Sequence, residues 1–283
     1  MMSDSAHDFV YSVLIPVYGK DSPEYFKFAV DSMINQTVPP EEIFIAVDGP
    51  VGDEMNGIIS RYKSSNASLF TVKYFPENRG IAPTLRDSLP MCRNEFVARM
   101  DADDYSLPTR IEEQSEIFRK YPKITTVGCN VDEFEGDITN VTAHVILPET
   151  PEEARKFARR RSPMRHPAMV FRKSDIIAIG SYRDVYKYED YDLQARIIHE
   201  YTDKGGGVYN VQKMLVMMRV SKDFYARRGG IRLACSSLAL KIGFWRDGLI
   251  SFTDLLVSGL GQAFVALMPG FFREWFYKKF LRH

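Results

Sequence analysis

Between residues 10 and 104, four short apolar runs alternate with segments of helical spacing, and each run empties into a polar loop. The runs cover residues 10–17, 43–47, 70–75 and 96–100, with predicted helices around Phe26, Val30, Met33 and Ile34, then over 53–63 and 81–91. Strands apolar on both faces belong in a covered sheet, and strict strand–helix alternation makes that sheet parallel. Pro16 cannot donate to a ladder, which predicts that the first strand stops there. A parallel sheet brings the carboxyl ends of its strands to one edge. Pro16-Val17-Tyr18, Asp48-Gly49, Asn78-Arg79-Gly80 and Asp101 to Asp104 therefore meet there. Ligands of open α/β sheets bind at that edge.

The fourth loop carries the sharpest chemistry. Asp101, Asp103 and Asp104 put three carboxylates within four residues, directly after an apolar strand. Such a cluster repels itself unless something positive sits in it. A hard divalent cation, shared with substrate phosphates, is the natural occupant. The plainer alternative is an Asp-rich turn that caps the helix beginning near Pro108. Arg99, inside the apolar strand, is expected to be a buried ion-pair partner of this loop.

The rest of the chain bounds the setting. With 283 residues it holds one large domain, or one domain and an appendage. A formal net charge of zero gives no field for nucleic acid, and no nucleic-acid partner is expected. Met1 to Asp8 lack the basic-then-apolar layout of a signal peptide, and Cys92, Cys129 and Cys235 share no metal-ligand spacing. A reduced, cytoplasmic protein is the expectation. In the second half, residues 125–134 and 139–147 are predicted as strands joined by a hairpin at Gly136-Asp137. A basic-ended helix over 152–161, a strand at 168–171 and a helix over 173–179 follow. Another helix opens at Tyr188-Glu189-Asp190, and a last strand covers 208–218.

Six motifs in order then carry a resemblance: Ser-Val-Leu-Ile-Pro-Val-Tyr (12–18), Val-Asp-Gly (47–49), Glu-Asn-Arg-Gly (77–80), Arg-Met-Asp-Ala-Asp-Asp (99–104), Arg-His-Pro-Ala-Met-Val-Phe-Arg (165–172) and Tyr-Glu-Asp-Tyr-Asp-Leu (188–193). Together they resemble family 2 glycosyltransferases of GT-A fold, in particular bacterial enzymes that build capsule, exopolysaccharide or O-antigen repeat units. The resemblance implies an α/β fold with a Rossmann-like, mostly parallel central sheet covered on both faces. It also implies a nucleotide-sugar half over about 10–105, an acceptor half over about 106–220, and a helical tail over 221–283.

The same resemblance implies roles. Pro16, Val17 and Tyr18 would lie against base and ribose, and Asp48 would hydrogen-bond the base, uracil in many relatives. Asn78 and Gly80 would shape the loop beneath the nucleotide. Asp101 and Asp103 match the family's Asp-x-Asp, the second binding Mn2+ or Mg2+, with Asp104 a reserve ligand or a helix cap. Asp190 matches the general base of inverting members. Each has a plain alternative. Asp48 is a good turn residue, Asp190 a helix N-terminal charge favoured by the dipole, and Glu189 or Asp192 a substitute base. His166 either reaches diphosphate or acceptor, as Glu189 would, or is a structural histidine.

The implied reaction is inverting, metal-dependent transfer of a hexose from a UDP-sugar to a saccharide, commonly linked to polyprenyl diphosphate. A sugar-nucleotide pyrophosphorylase would need a Gly-rich basic loop after the first strand, and Tyr18-Gly19-Lys20-Asp21 is not one. A non-catalytic scaffold would have no reason to keep clustered carboxylates. Two further stretches bear on partners. Arg155, Lys156, Arg159, Arg160, Arg161 and Arg165 form a basic run, either a solvated helix face or an acceptor-side loop that meets phosphate. Phe271 to Arg282 interleaves aromatics with cations, as an interfacial helix does. That places the protein peripherally at the inner face of the plasma membrane, unless the tail packs on the domain or a second copy, or the mostly apolar stretch from Leu249 to Phe272 spans the bilayer.

Overall fold

The structure is a computed structural model that describes residues 9–221 and 229–268. Strands β1 (Tyr11–Tyr18), β2 (Glu42–Asp48), β3 (Phe70–Phe75) and β4 (Phe96–Arg99) are parallel, joined by α1 (Pro23–Ile34), α2 (Asp53–Ser65) and α3 (Ile81–Ser88). Alternate residues sort onto two faces, as the pleat requires. Val13, Ile15, Val17, Ile43, Ile45 and Val47 pack with α1 and α2, while Leu14, Phe44 and Ala46 face α3 on the other side.

The sheet does not stop at β4. Beyond β5 (Tyr105–Ser106) and α4 (Arg110–Lys120) come β6 (Thr126–Phe134), β7 (Val141–Val145), α5 (Pro151–Ala158), β8 (Val170–Arg172), α6 (Lys173–Ala178), α7 (Glu189–Tyr201) and β9 (Val208–Arg219). The strand order is β3-β2-β1-β4-β8-β6-β9-β5, with β7 on the side of β6. β8 is antiparallel to both β4 and β6, and β9 is parallel to β6. One continuous mixed sheet thus carries both halves of the chain.

Several boundaries differ from the expectation: the helix expected over 152–161 ends at Ala158, the strand expected at 168–171 starts at Val170 after a 3-10 turn at His166–Ala168, and three more differ for a plain local reason. β1 runs on through Pro16 to Tyr18, pairing Pro16 with Ala46 of β2. Its last bond to β4 is Leu14 O accepting from Met100 N (3.1 Å). Pro16, two residues on, therefore aims its nitrogen at the side β4 has left, where no donor is needed. α3 ends at Ser88 and a 3-10 turn covers Leu89–Met91, because Pro90 cannot continue an α-helical ladder. β7 starts only at Val141. Asp137 first closes a turn, its Oδ1 accepting from Thr139 N (2.9 Å) and its carbonyl from Asn140 N (3.0 Å).

The C-terminal segment is helical as expected: α8 (Ile231–Arg246), α9 (Phe252–Asp254), a π-helical turn (Leu255–Gly259) and α10 (Leu260–Leu267). Leu240, Phe244, Ile250 and Leu255 bury against Tyr191 and Ala195 of α7. Phe271 to Arg282 lie outside the described residues. No helix among the described residues is long and apolar enough to cross a membrane.

Candidate active site

At the carboxyl edge the first loop closes on itself, and the next two lock onto each other. After β1, Tyr18 N donates to Asp21 Oδ2 (2.9 Å) while Asp21 N donates to Tyr18 O (3.0 Å). After β2, Asp48 uses both carboxylate oxygens on the third loop, accepting from Arg79 N and Gly80 N at 2.9 Å each. Asn78 Nδ2 returns a bond to Asp48 O (3.3 Å). Gly49 has φ +80, and a Cβ there would stand 2.5 Å from Asn78 N, so only glycine lets the loops close. Gly80, with φ 87, turns the chain into α3. Val17 is buried in the core, so only its backbone faces this edge, whereas Tyr18 is exposed. A cavity of about 230 Å³ opens between Tyr18, Gly19, Asp21 and the start of α2 at Gly52 to Met55. A larger depression, about 390 Å³, lies at the opposite edge beside Glu41 and Arg93, away from every clustered acid.

The fourth loop gathers Asp101, Asp103 and Asp104, whose oxygens lie within 4.8 Å of one another. Arg99, 1% exposed, ion-pairs with Asp101 as expected. Asp104 does not cap the following helix; Thr109 stands at that cap. β5 pairs with β9 and carries Asp104 to Arg219, whose N–H donates to Asp104 Oδ1 (2.7 Å). Arg219 Nε also donates to Asp103 O (3.0 Å), and its guanidinium stacks on Tyr25 and Phe134.

Far along the chain, α7 opens with Glu189 and Asp190, and Asp190 Oδ1 accepts from Tyr191 N (2.7 Å). The two carboxylate groups feel each other's charge, since Glu189 responds to Asp101 and Arg99. Buried Tyr182 sits in the field of Arg99, Asp190, Glu189 and Asp101 together. His166 is buried with Nε2 3.0 Å from the Tyr182 hydroxyl. Burial, helped by Arg99, holds its pKa well below the usual range, so the ring is neutral and offers no cation to a diphosphate.

Electrostatics mark this edge as short of positive charge. Burial, then the charge of Asp101, pushes Asp103 up to about 6. Burial and Asp103 raise Asp104 well above the carboxylate range. Burial raises Asp21 to about 7 with help from Asp103 and Asp101, and burial with Asp190 raises Glu189 to about 7. Six carboxylates thus share one field with two guanidinium groups, Arg99 and Arg219. An all-oxygen donor set with excess negative charge fits Mg2+ or Mn2+. Asp21, Arg219 and Tyr182 were not singled out from the sequence. Asp21 had a signal, a carboxylate in a loop after a strand, whereas the other two have none locally.

Residues 12–180 match the model of Glycosyl transferase family 2. Over 284 aligned residues the chain is 34% identical to the UDP-Gal:alpha-D-GlcNAc-diphosphoundecaprenol beta-1,3-galactosyltransferase of Escherichia coli, covering 99% of each protein. Among solved structures it resembles S. aureus TarS in complex with UDP-GlcNAc, with a TM-score of 0.67 and 15% identity over 96% of this chain and 76% of that one. It also resembles the mannosyltransferase PcManGT from Pyrobaculum calidifontis in complex with GDP-Man and Mn2+, with a TM-score of 0.63 and 16% identity over 90% and 73% of the two chains. The fold is GT-A. The chain is a glycosyltransferase and belongs to Glycosyl transferase family 2.

Proposed function

We propose that the chain is an inverting, divalent-metal-dependent hexosyltransferase that uses a UDP-sugar and a saccharide acceptor on polyprenyl diphosphate. The observation that carries this is that Asp101, beside Asp103 and Asp104, and the distant pair Glu189-Asp190 share one electrostatic field with Arg99 and Tyr182. Similarity to a relative named for UDP-Gal and diphosphoundecaprenol supports the donor nucleotide and acceptor class. Pro16, Tyr18 and the backbone of Val17 border the nucleotide, with Asp48 offering its remaining lone pairs to the base. Asn78 and Gly80 hold the loop beneath it. Asp103 and Asp101 would hold Mn2+ or Mg2+, which when bound neutralises charge on the leaving diphosphate. Asp190 takes the proton of the acceptor hydroxyl on the face opposite the leaving group. Glu189, whose pKa burial and Asp190 raise, can hydrogen-bond the acceptor. One base without a covalent intermediate gives inversion. In this division residues 10–105 serve the donor and 106–220 the acceptor.

Chelation by EDTA and Asp103→Ala should each remove transfer from a UDP-hexose, by about three orders of magnitude for a loss of several kcal/mol. Metal-dependent UDP binding measured by calorimetry should go with it. Full turnover in EDTA would overturn the metal dependence.

Peripheral contact at the inner face of the plasma membrane belongs to the same reading. Of eighteen exposed large apolar side chains among the described residues, nine fall between Ile231 and Leu267. Phe252, Leu256, Leu260 and Phe264 recur every fourth residue with Val257 and Leu267 beside them. The outward face of α9–α10 is therefore apolar where a surface helix is usually polar. Its inward face holds the basic run, Ser258 Oγ donating to Arg159 O (3.1 Å) and Gln262 Nε2 to Arg160 O (2.5 Å). Exposed Arg159, Arg160 and Arg161 thus fringe an apolar stripe, a pairing suited to anionic lipid. The full chain should sediment with anionic liposomes, more weakly in high salt. Leu260→Ser with Phe264→Ser should release it. A wild-type chain that stays in the supernatant would remove the membrane from this proposal.

A further inference from the structure

Lys241 of α8 is fully buried, and its charge is used by nothing described so far. Its ammonium donates to Arg159 O (2.9 Å), just past the end of α5, and to the Tyr191 hydroxyl. It also lies over the rings of Tyr191 (4.6 Å) and Phe244 (5.5 Å). The Tyr191 hydroxyl in turn donates to Ala158 O (2.6 Å). A helix C-terminus leaves carbonyls without intrahelical donors and carries partial negative charge, so a buried cation is tolerated there. Burial still lowers Lys241 to about 7, with Asp254 acting the other way.

Tyr191 is also the residue after Asp190, and its N–H holds Asp190 Oδ1. The residues leading up to the acidic pair depend on the same C-terminal helices. Tyr188 and Val185 pack against the cluster of Tyr191, Leu240 and Phe244. Ser236 Oγ donates to Tyr186 O (2.9 Å), and Arg232 stacks on the Tyr186 ring. Both flanks of Glu189-Asp190 therefore rest on α8, a segment beyond the acceptor half.

We propose that the C-terminal helices form part of the catalytic apparatus, with Lys241 a positioning residue that fixes the Glu189-Asp190 pair through Tyr191. This rests on Asp190 being the base. Among the described residues these helices contribute no member of the acidic groups, so the effect is on geometry. A displacement of about 1 Å at a reacting group can cost on the order of 100-fold in rate.

The test uses the full chain with Lys241→Met, Tyr191→Phe and Asp190→Asn side by side, the active-site concentration counted from UDP–Mn2+ binding stoichiometry. Lys241→Met and Tyr191→Phe should each lower kcat per binding site by about 10- to 100-fold, with the donor KM and UDP affinity within about twofold. Wild-type kcat per site in Tyr191→Phe, whatever its Tm, overturns the proposal. Tyr191→Phe decides the matter alone if Lys241→Met fails to fold, since it keeps the ring and removes only the hydroxyl. Wild-type turnover in Asp190→Asn would instead sink the base assignment, and this inference with it. An inactive Asp190→Asn beside fully active Lys241→Met and Tyr191→Phe would sink this inference alone.

Discussion

The two edges of the sheet each bury acid, and they treat it in opposite ways. At the amino edge Glu42 is fully buried and surrounded by donors. Its Oε2 accepts from Ser12 Oγ (2.6 Å) and Arg93 N (2.7 Å), its Oε1 accepts from Thr71 Oγ1 (2.7 Å), and Arg93 Nε stands 3.4 Å away. At the carboxyl edge Asp103 and Asp104 face other carboxylates, and burial drives both upward. A carboxylate ringed by hydrogen-bond donors holds strands together. Carboxylates ringed by carboxylates weaken the fold, and a cation among them would relieve that cost. The chemistry of a buried acid is thus set by its neighbours as well as by its burial.

Substitutions at the two edges should separate these uses. The largest effect belongs to Asp190→Asn, expected to cut turnover by about two to four orders of magnitude with UDP and metal affinity nearly intact. If nucleotide affinity collapses along with turnover, Asp190 is a structural residue or a ligand instead. Glu42→Gln should do the reverse. The new amide can keep its oxygen toward the Arg93 N–H, but its NH2 then stands against the half-exposed Arg93 guanidinium and the ion pair is lost, so stability should fall by about 1 kcal/mol. Turnover per folded molecule should stay at the wild-type value. A denaturation midpoint unchanged in Glu42→Gln would show that its donors contribute little, and the contrast between the edges would fail.

Legibility in the sequence followed locality. β1 to β4 are fixed by short-range alternation, and Asp48-Gly49 and Asn78-Arg79-Gly80 announce their own turns. Asp101 to Asp104 stand out because they are neighbours in the chain. Arg219 could not be found that way, since it meets Asp104 across 115 residues through the pairing of β9 with β5 and β6. Pro16 misled because a proline's cost in a strand depends on whether a neighbour stands on that side. Lys241 resembled any helix lysine, and only the tertiary packing of α8 on α7 turned it inward. Asp104 was ambiguous between cap and cluster until β5 carried it toward β9.

The smallest expected effect is the most diagnostic of the contrast. Asp21, Asp103 and Glu189 have folded pKa values of about 7, 6 and 7, and Asp104 is raised as well. In the unfolded chain all four titrate near 4. Between about pH 4.5 and 7 the folded state therefore binds more protons than the unfolded one, and metal-free stability falls as pH rises. His166, buried and neutral, and Lys241, lowered to about 7, oppose this with at most one proton each. In EDTA, Tm at pH 5.5 should exceed Tm at pH 7.5, each kcal/mol being worth about 2–4 °C for a chain of this size. On the proposed function, Mn2+ with UDP would bind the ionised carboxylates of the folded state alone, so it should reverse that order. Asp103→Asn should flatten the slope in EDTA and raise Tm at pH 7.5 while abolishing transfer, trading activity for stability. A Tm in EDTA that climbs from pH 5.5 to 7.5 would mean that the carboxyl-edge acids are as well partnered as Glu42, and the distinction between the two edges would be lost.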